Sequence, residues 1–224
     1  MTHLARHRQL ACAAVAATLA IACSSSEPTA PSVADLRAVI PSWWGAVGTN
    51  STLYSVGTVH ETRHGGATAL VIVGKDTAAL GLAGIGQYIR ADNFRGKRIR
   101  LRGWVRQAAV TGPDVGLWLR IDGPGVTEGL DDFSRRPLTG TTDWHQVESI
   151  LDVPNDALGI AFGAQMSGKG EFFIDDLALE IVPATGSTTN QLQGFPASEF
   201  DAATLTRFYG RLGSTPANLD FETP

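Results

Sequence analysis

The chain has almost no cysteine: Cys12 and Cys23 are its only two, and both precede any segment able to build a core. A fold stapled by disulfides needs pairs inside it, so a disulfide scaffold is excluded, and so are cysteine-based zinc and redox motifs. Charge of one sign is also scarce. With 18 basic and 22 acidic residues and a formal charge of −4, there is no electrostatic footprint for nucleic acid. No apolar run reaches the roughly 20 residues that span a bilayer as a helix. The motifs of several enzyme classes are missing too. No Gly-x-Ser-x-Gly elbow offers a serine nucleophile. Gly81, Gly84 and Gly86 lack the spacing of a dinucleotide loop, and no phosphate-binding loop occurs.

What is present begins with an export signal. Met1 to Gln9 carries Arg6 and Arg8 and no acid, Leu10 to Ala22 is apolar, and Cys23 opens a polar stretch, Ser24-Ser25-Ser26. A basic start followed by a short apolar segment is a signal peptide. Leu19-Ala20-Ile21-Ala22-Cys23 resembles the lipobox of bacterial lipoproteins, although Ala20 stands where Leu is usual and Leu19 lies one step early. The resemblance implies cleavage before Cys23, lipidation of its sulfur, and display on a membrane outside the cytoplasm. The alternative is a secreted protein cut near Ala22. Either cut removes two arginines and no acid, which leaves 16 basic and 22 acidic residues and a charge of −6.

The remainder divides by composition. Residues 23–41 are rich in Ser, Pro and Ala and are expected to be a flexible tether. Residues 42–183 hold short apolar segments broken by Gly, Pro, Asn and Asp. Ile99, Leu101, Gly103 and Val105 alternate with Arg98, Arg100, Arg102, Trp104 and Arg106, and Leu117, Leu119 and Ile121 alternate with Trp118, Arg120 and Asp122. Period-2 alternation of this kind predicts strands with one core face. Further strands are expected at 68–73, 147–153, 159–166 and 172–182. The fold class is therefore all-β, an antiparallel jelly-roll sandwich. Residues 184–224 are expected to be a linker, a short helix from Ser198 to Gly210 with Ser198 as N-cap, and a terminal segment Asn218 to Glu222.

Ordered fragments across the sandwich region carry a second resemblance. They are Phe94-Arg95-Gly96-Lys97-Arg98-Ile99-Arg100-Leu101, Trp104, Gly116 to Gly123, Arg136-Pro137-Leu138, Gly140-Thr141-Thr142-Asp143-Trp144, Asp152-Val153-Pro154, and Phe172 to Leu177. In this order they resemble jelly-roll modules with a galactose-binding-like or carbohydrate-binding-like fold, which accompany secreted hydrolases and helix-turn-helix regulators in bacteria. Such modules usually open with a strand like Asn-Leu-Gly-Phe-Glu. No such strand precedes Trp43-Trp44, yet Asn218 to Glu222 supplies a close match. Either this segment folds back as the missing edge strand, or it begins a second module. The resemblance also implies a structural calcium held partly by Asp176 and Glu222; two oxygen ligands alone do not make a site.

Three constellations bear on function. His60-Glu61-Thr62-Arg63-His64 satisfies the H-E-x-x-H zinc pattern, which requires a helix to bring both imidazoles to one metal. Here it lies between apolar β-type segments and runs into Gly65-Gly66, a hairpin signal, and on an extended chain the two histidines would be roughly 13 Å apart. Asp175 and Asp176, adjacent on a strand, are expected on opposite sheet faces, unable to serve one bond as acid and base. On the face away from the core, Trp104, Trp118, Arg100, Arg102 and Arg120, with Gln165, are expected to form one binding surface for a glycan, or for a protein partner. The expected function is a non-catalytic, membrane-tethered binding module for carbohydrate. A structural or protein-interaction subunit is the alternative, and a hydrolase a second one.

Overall fold

The computed structural model describes residues 33, 36–49, 51–75, 81–194 and 196–224. The export signal, Cys23 and most of the tether lie outside the described residues. The elements are β1 (Gly45–Gly48), β2 (Tyr54–Val59), β3 (Ala69–Gly74), β4 (Leu82–Arg90), β5 (Arg98–Val110), β6 (Val115–Asp122), β7 (Thr127–Asp131), β8 (Gly140–Asp152), β9 (Gly159–Ser167), β10 (Gly170–Val182) and one helix, α1 (Ala202–Tyr209). They form two five-stranded antiparallel sheets, ordered β1-β4-β9-β6-β7 and β2-β3-β10-β5-β8. This is the jelly-roll sandwich. No helix among the described residues is long and apolar enough to cross a membrane.

The core lies between the sheets and comes from alternate residues of both. Ile85, Ile89, Leu117, Leu119, Ile121, Ile160 and Phe162 face inward from the first sheet; Leu70, Ile72, Ile99, Leu101, Val105, Phe172 and Ile174 face inward from the second. Side chains of opposite parity therefore mark the outer faces. A second, smaller cluster sits outside the core, where Val59, Ala69, Val71 and Phe173 on the outer face of the second sheet are covered by Val33 and Leu36.

That cover corrects the tether. Arg37 pairs with Thr58 through both backbone groups, at 2.9 and 3.0 Å, so the residues just before Pro41 are part of the fold. The linker is corrected in the same way. Thr189 N–H donates to Ile150 O and Gln191 N–H to Leu130 O, both at 2.8 Å. These bonds tie the segment after Val182 across the exposed edges of β8 and β7, one in each sheet, and occupy backbone groups that would otherwise stand open.

The C-terminal segment does return to the sandwich, as turns and not as an edge strand. Asn218 and Phe221 have φ of 50° and 60°, outside the β region that regular strand pairing requires. The segment bridges the sheets instead. Gln87 on β4 bonds both backbone groups of Ala217, Leu177 N–H on β10 donates to Leu219 O at 2.9 Å, and Phe221 is 1% exposed against Trp44. The helix also starts later than predicted. Asp201 is the N-cap, its carboxylate accepting from Thr204 N–H at 2.8 Å; Ser198 reaches only Phe200 N–H.

Candidate functional site

The anticipated surface of Trp104, Trp118, Arg100, Arg102, Arg120 and Gln165 does not exist as one patch. β5 and β6 are consecutive but belong to opposite sheets, so their outward residues point to opposite sides of the molecule. Arg100, Arg102 and Trp104 lie outside the second sheet; Trp118, Arg120 and Gln165 lie outside the first.

On the second sheet the arginines face carboxylates. Arg100 and Arg102 both bond Glu180, at 2.9 and 3.0 Å, and these cations hold the Glu180 carboxyl down at about 2. Trp104 stacks on His64 with ring centroids 4.0 Å apart and 12° between planes. Beside it is a shallow depression of about 490 Å³ bordered by Arg102, Asp176 and Asp220. The polar groups of this face mostly satisfy one another.

His60 to His64 forms part of the β2–β3 loop. His64 Nδ1 pairs with Asp176 at 2.8 Å, while His60 Nδ1 lies 3.0 Å from Ala67 O. The two imidazoles share no helical face and serve separate partners. One expectation fails here. Asp175 and Asp176 do not diverge, because β10 carries a bulge after Asp175 and Asp176 has φ of 48°. The Asp175 carboxylate accepts from His64 N–H and Gly65 N–H at 2.8 and 3.0 Å, and Asp176 takes the His64 ring. A bulge breaks period-2 alternation, so both acids serve one loop. Burial pushes the Asp175 carboxyl up despite those N–H bonds.

The two carboxylates that the resemblance implies for calcium have partners within the chain. Glu222 Oε1 accepts from Ala67 N–H and Thr68 N–H, at 2.6 and 3.0 Å, and Asp176 Oδ2 is held by His64. Among the described residues no three acidic or histidine side chains gather as a ligand set. The two carboxylates staple the β2–β3 loop directly.

The first sheet is shaped differently. The outward positions of β4 and β9 are small: Gly84 and Gly86 on one, Gly159, Ala161 and Gly163 on the other. In register, Gly86, Gly163 and Trp118 lie side by side, and the next row is Tyr88, Ala161, Arg120 and Leu130. Without side chains on these strands the Trp118 indole lies flat across the sheet. A Cβ on Gly86 would come within 2.7 Å of its Cζ2, and its Nε1–H donates to Ile85 O at 3.3 Å. The result is a floor made by the indole, with Gly86 and Gly163 buried beneath it and side chains of the neighbouring rows around it.

The cleft above that floor has a volume of about 220 Å³ and is lined by Val47, Leu82, Tyr88, Trp118, Arg120, Leu130, Asp132 and Gln165. Trp118 is nearly buried; Tyr88 is the half-buried ring. Gln165 is oriented by an Nε2–H bond to Asp132 O at 3.3 Å. Arg120 is fixed by Asp122, 2.8 Å away and 2% exposed. The Asp122 carboxylate also accepts the Tyr209 hydroxyl of α1. Burial, then the neighbouring Asp122 carboxylate, raise the Tyr209 phenol well above its ordinary value. The Tyr209 ring seats where Gly159 has no side chain, so a segment distant in sequence packs beside the cleft.

Tyr88, Asp132 and the small residues of β4 and β9 escape the sequence analysis. A signal for them exists. In Leu82 to Arg90, Gly84, Gly86 and Tyr88 alternate with Ala83, Ile85 and Ile89, and in Gly159 to Gln165, Gly159, Ala161 and Gly163 alternate with Ile160, Phe162 and Ala164. Two strands with small residues at matched parity predict a shallow groove once they are known to pair. Glycine inside a strand weakens its signal, and 82–90 is not among the expected strands.

Comparison with known proteins places this geometry in context. No protein-family profile matches the chain. A Bacillus subtilis (strain 168) protein described as an uncharacterized HTH-type transcriptional regulator, YbfP, is 30% identical over 182 residues, which is 80% of this chain and 56% of that protein. The chain thus spans little more than half of that relative's length. Among solved structures, the xylan-binding CBM22-1 domain of Paenibacillus barcinonensis Xyn10C has a TM-score of 0.44 at 15% identity, covering 63% of this chain and 87% of that one. TmCBM61, solved with β-1,4-galactotriose, has a TM-score of 0.43 at 18% identity, covering 63% and 90%. The enzymatically active domain of bacteriophage CBA120 tailspike protein 4 has a TM-score of 0.48 at 16% identity, covering 63% and 20%.

Proposed function

We propose that the protein is a non-catalytic carbohydrate-binding module displayed outside the cytoplasm on a lipid anchor at Cys23. The observation that carries the binding reading is the cleft on the first sheet, where Tyr88 and Trp118 stand among Gln165, Asp132 and Arg120. An aromatic ring offers a face to the C–H side of a sugar, and a few convergent polar groups fix its hydroxyls. The polar groups here are oriented beforehand by bonds within the protein, which lowers the ordering cost of binding.

A broad glycan array probed with the mature chain tests this reading. Retention of one or a few related saccharides is expected. Tyr88→Ala should weaken their binding about tenfold or more, equivalent to at least about 1.4 kcal/mol, with little change in thermal midpoint because the ring is half exposed. Retention of nothing on the array, or wild-type affinity in Tyr88→Ala, would sink it. Tyr88 is the cleaner probe, since Trp118 is buried and its truncation would also unfold part of the sheet.

The anchor is supported by the order of Arg6 and Arg8, the apolar Leu10 to Ala22 and Cys23. Several acyl chains on one cysteine hold a protein to a bilayer where a single chain does not. In cells, the wild type is expected in the membrane fraction and Cys23→Ser in the soluble or unprocessed fraction. Equal membrane retention of both proteins would remove Cys23 from this role.

A further inference from the structure

A second cavity, of about 440 Å³, adjoins the cleft and shares Tyr88 and Arg120 with it. Its remaining walls include Phe200, Leu205 and Phe208 of the C-terminal segment, with Glu199 at the margin. Phe200 and Phe208 are 53% and 43% exposed. Phe208 meets Tyr88 edge to face at 5.6 Å and 85°. Large apolar side chains left in water at a concave site mark it for an apolar ligand.

The two spaces differ in chemistry. Gln165, Asp132 and Arg120 supply polar groups to the cleft, whereas four aromatic rings and a leucine make most of the adjoining cavity, with Arg120, Asp122, Glu199 and Thr204 as its polar members. The cleft alone is smaller than the roughly 300–1,000 Å³ usual for a small-ligand site, and the adjoining cavity lies within that range. A sugar ring in the cleft would have Arg120 and Tyr88, which line both spaces, at one edge, and any group it carried on that side would enter the adjoining cavity.

Resting on the carbohydrate reading above, we infer that the site is bipartite and takes a saccharide bearing an apolar, by preference aromatic, substituent. The sugar occupies the cleft and the substituent lies among Tyr88, Phe200 and Phe208. The helix α1 is then a binding element as well as a cover, because it holds Phe208 against the sheet, with Phe200 just ahead of its N-cap. Asp122 and Gly159 secure it there through Tyr209.

Paired ligands test the inference. The β-linked methyl and p-nitrophenyl glycosides of glucose, galactose, xylose and N-acetylglucosamine are titrated calorimetrically into the mature chain. At least one p-nitrophenyl glycoside is expected to bind about tenfold or more tightly than its methyl counterpart, and the double variant Phe200→Ala, Phe208→Ala should bring that ratio near one. Both side chains are exposed enough for the variant to fold, which its thermal midpoint verifies. Equal binding within every pair, or a gain that survives the double variant, overturns the inference and leaves the carbohydrate reading standing. Retention of glycans on the array with no binding of any p-nitrophenyl glycoside does the same, because the aryl group should carry affinity across sugar types. Failure of every saccharide, on the array and in the pairs, overturns both.

Discussion

Removal of residues 215–224 is expected to lower the thermal midpoint by about 10–20 °C, the largest effect foreseen for a change outside the strands. Phe221 is the main reason. It is buried against Trp44, with ring centroids 5.4 Å apart, and deletion of a buried aromatic ring costs roughly 3–5 kcal/mol. In a domain of this size each kcal/mol moves the midpoint by about 2–4 °C. Hydrogen bonds go with it. The Trp44 indole loses Asn218 O at 2.9 Å, Leu177 N–H loses Leu219 O, and the Thr68 hydroxyl loses Phe221 O at 2.8 Å. Groups left without partners in a buried place add to the deficit. Phe221→Ala in the full-length chain should reproduce most of the loss, and Glu222→Gln only a small part, since its bonds to Ala67 and Thr68 are exposed or half-buried. Thermal unfolding followed by tryptophan fluorescence measures all three proteins. An unchanged midpoint for the deletion would mean that the segment is not part of the core.

Asp122→Ala is the second large effect, expected at about 2–3 kcal/mol. Removing one partner of a buried ion pair costs roughly 3–5 kcal/mol, because the other charge is left uncompensated. Here Arg120 is about one third exposed (35%) and regains some hydration, so the lower figure applies. Asp122 also accepts the Tyr209 hydroxyl. Tyr209→Phe deletes that bond alone and should cost about 1 kcal/mol. The difference between the variants separates the ion pair from the helix attachment. Amide exchange across Ala202 to Tyr209 should quicken in both, and more in Asp122→Ala. If Asp122→Ala cost no more than Tyr209→Phe, Arg120 would not depend on Asp122, and the account of how the cleft is preorganised would fail.

These two regions show what period and composition can convey. Alternation in Arg98 to Arg106 and in Leu117 to Asp122 predicts strands, and both exist with the expected parity, because burial of one face imposes period 2 on any chain that forms it. β4 hides because its outward residues include the glycines over which the Trp118 indole lies. The bulge in β10 hides because one left-handed residue, Asp176, leaves no mark in the hydrophobic pattern. The return of Asn218 to Glu222 is legible as a segment needing a partner, but its form is decided by where Phe221 fits between the sheets.

The proposed export signal rests wholly on the sequence, since a signal peptide is read as a linear string and the role proposed for Cys23 depends on the residues before it. The jelly-roll class is nearly so, being the arrangement that many short, half-buried strands can adopt. The binding surface is not. Trp104 and Trp118 stand at equivalent positions in two consecutive strands, yet the segment between β5 and β6 crosses from one sheet to the other and sends them to opposite sides of the molecule. Period-2 order assigns each side chain to the inside or the outside of its own sheet; which sheet, and which rows become neighbours, depends on pairing between strands far apart in the chain. That pairing alone brought Gly86, Gly163, Tyr88 and Arg120 together, and it laid α1 beside them.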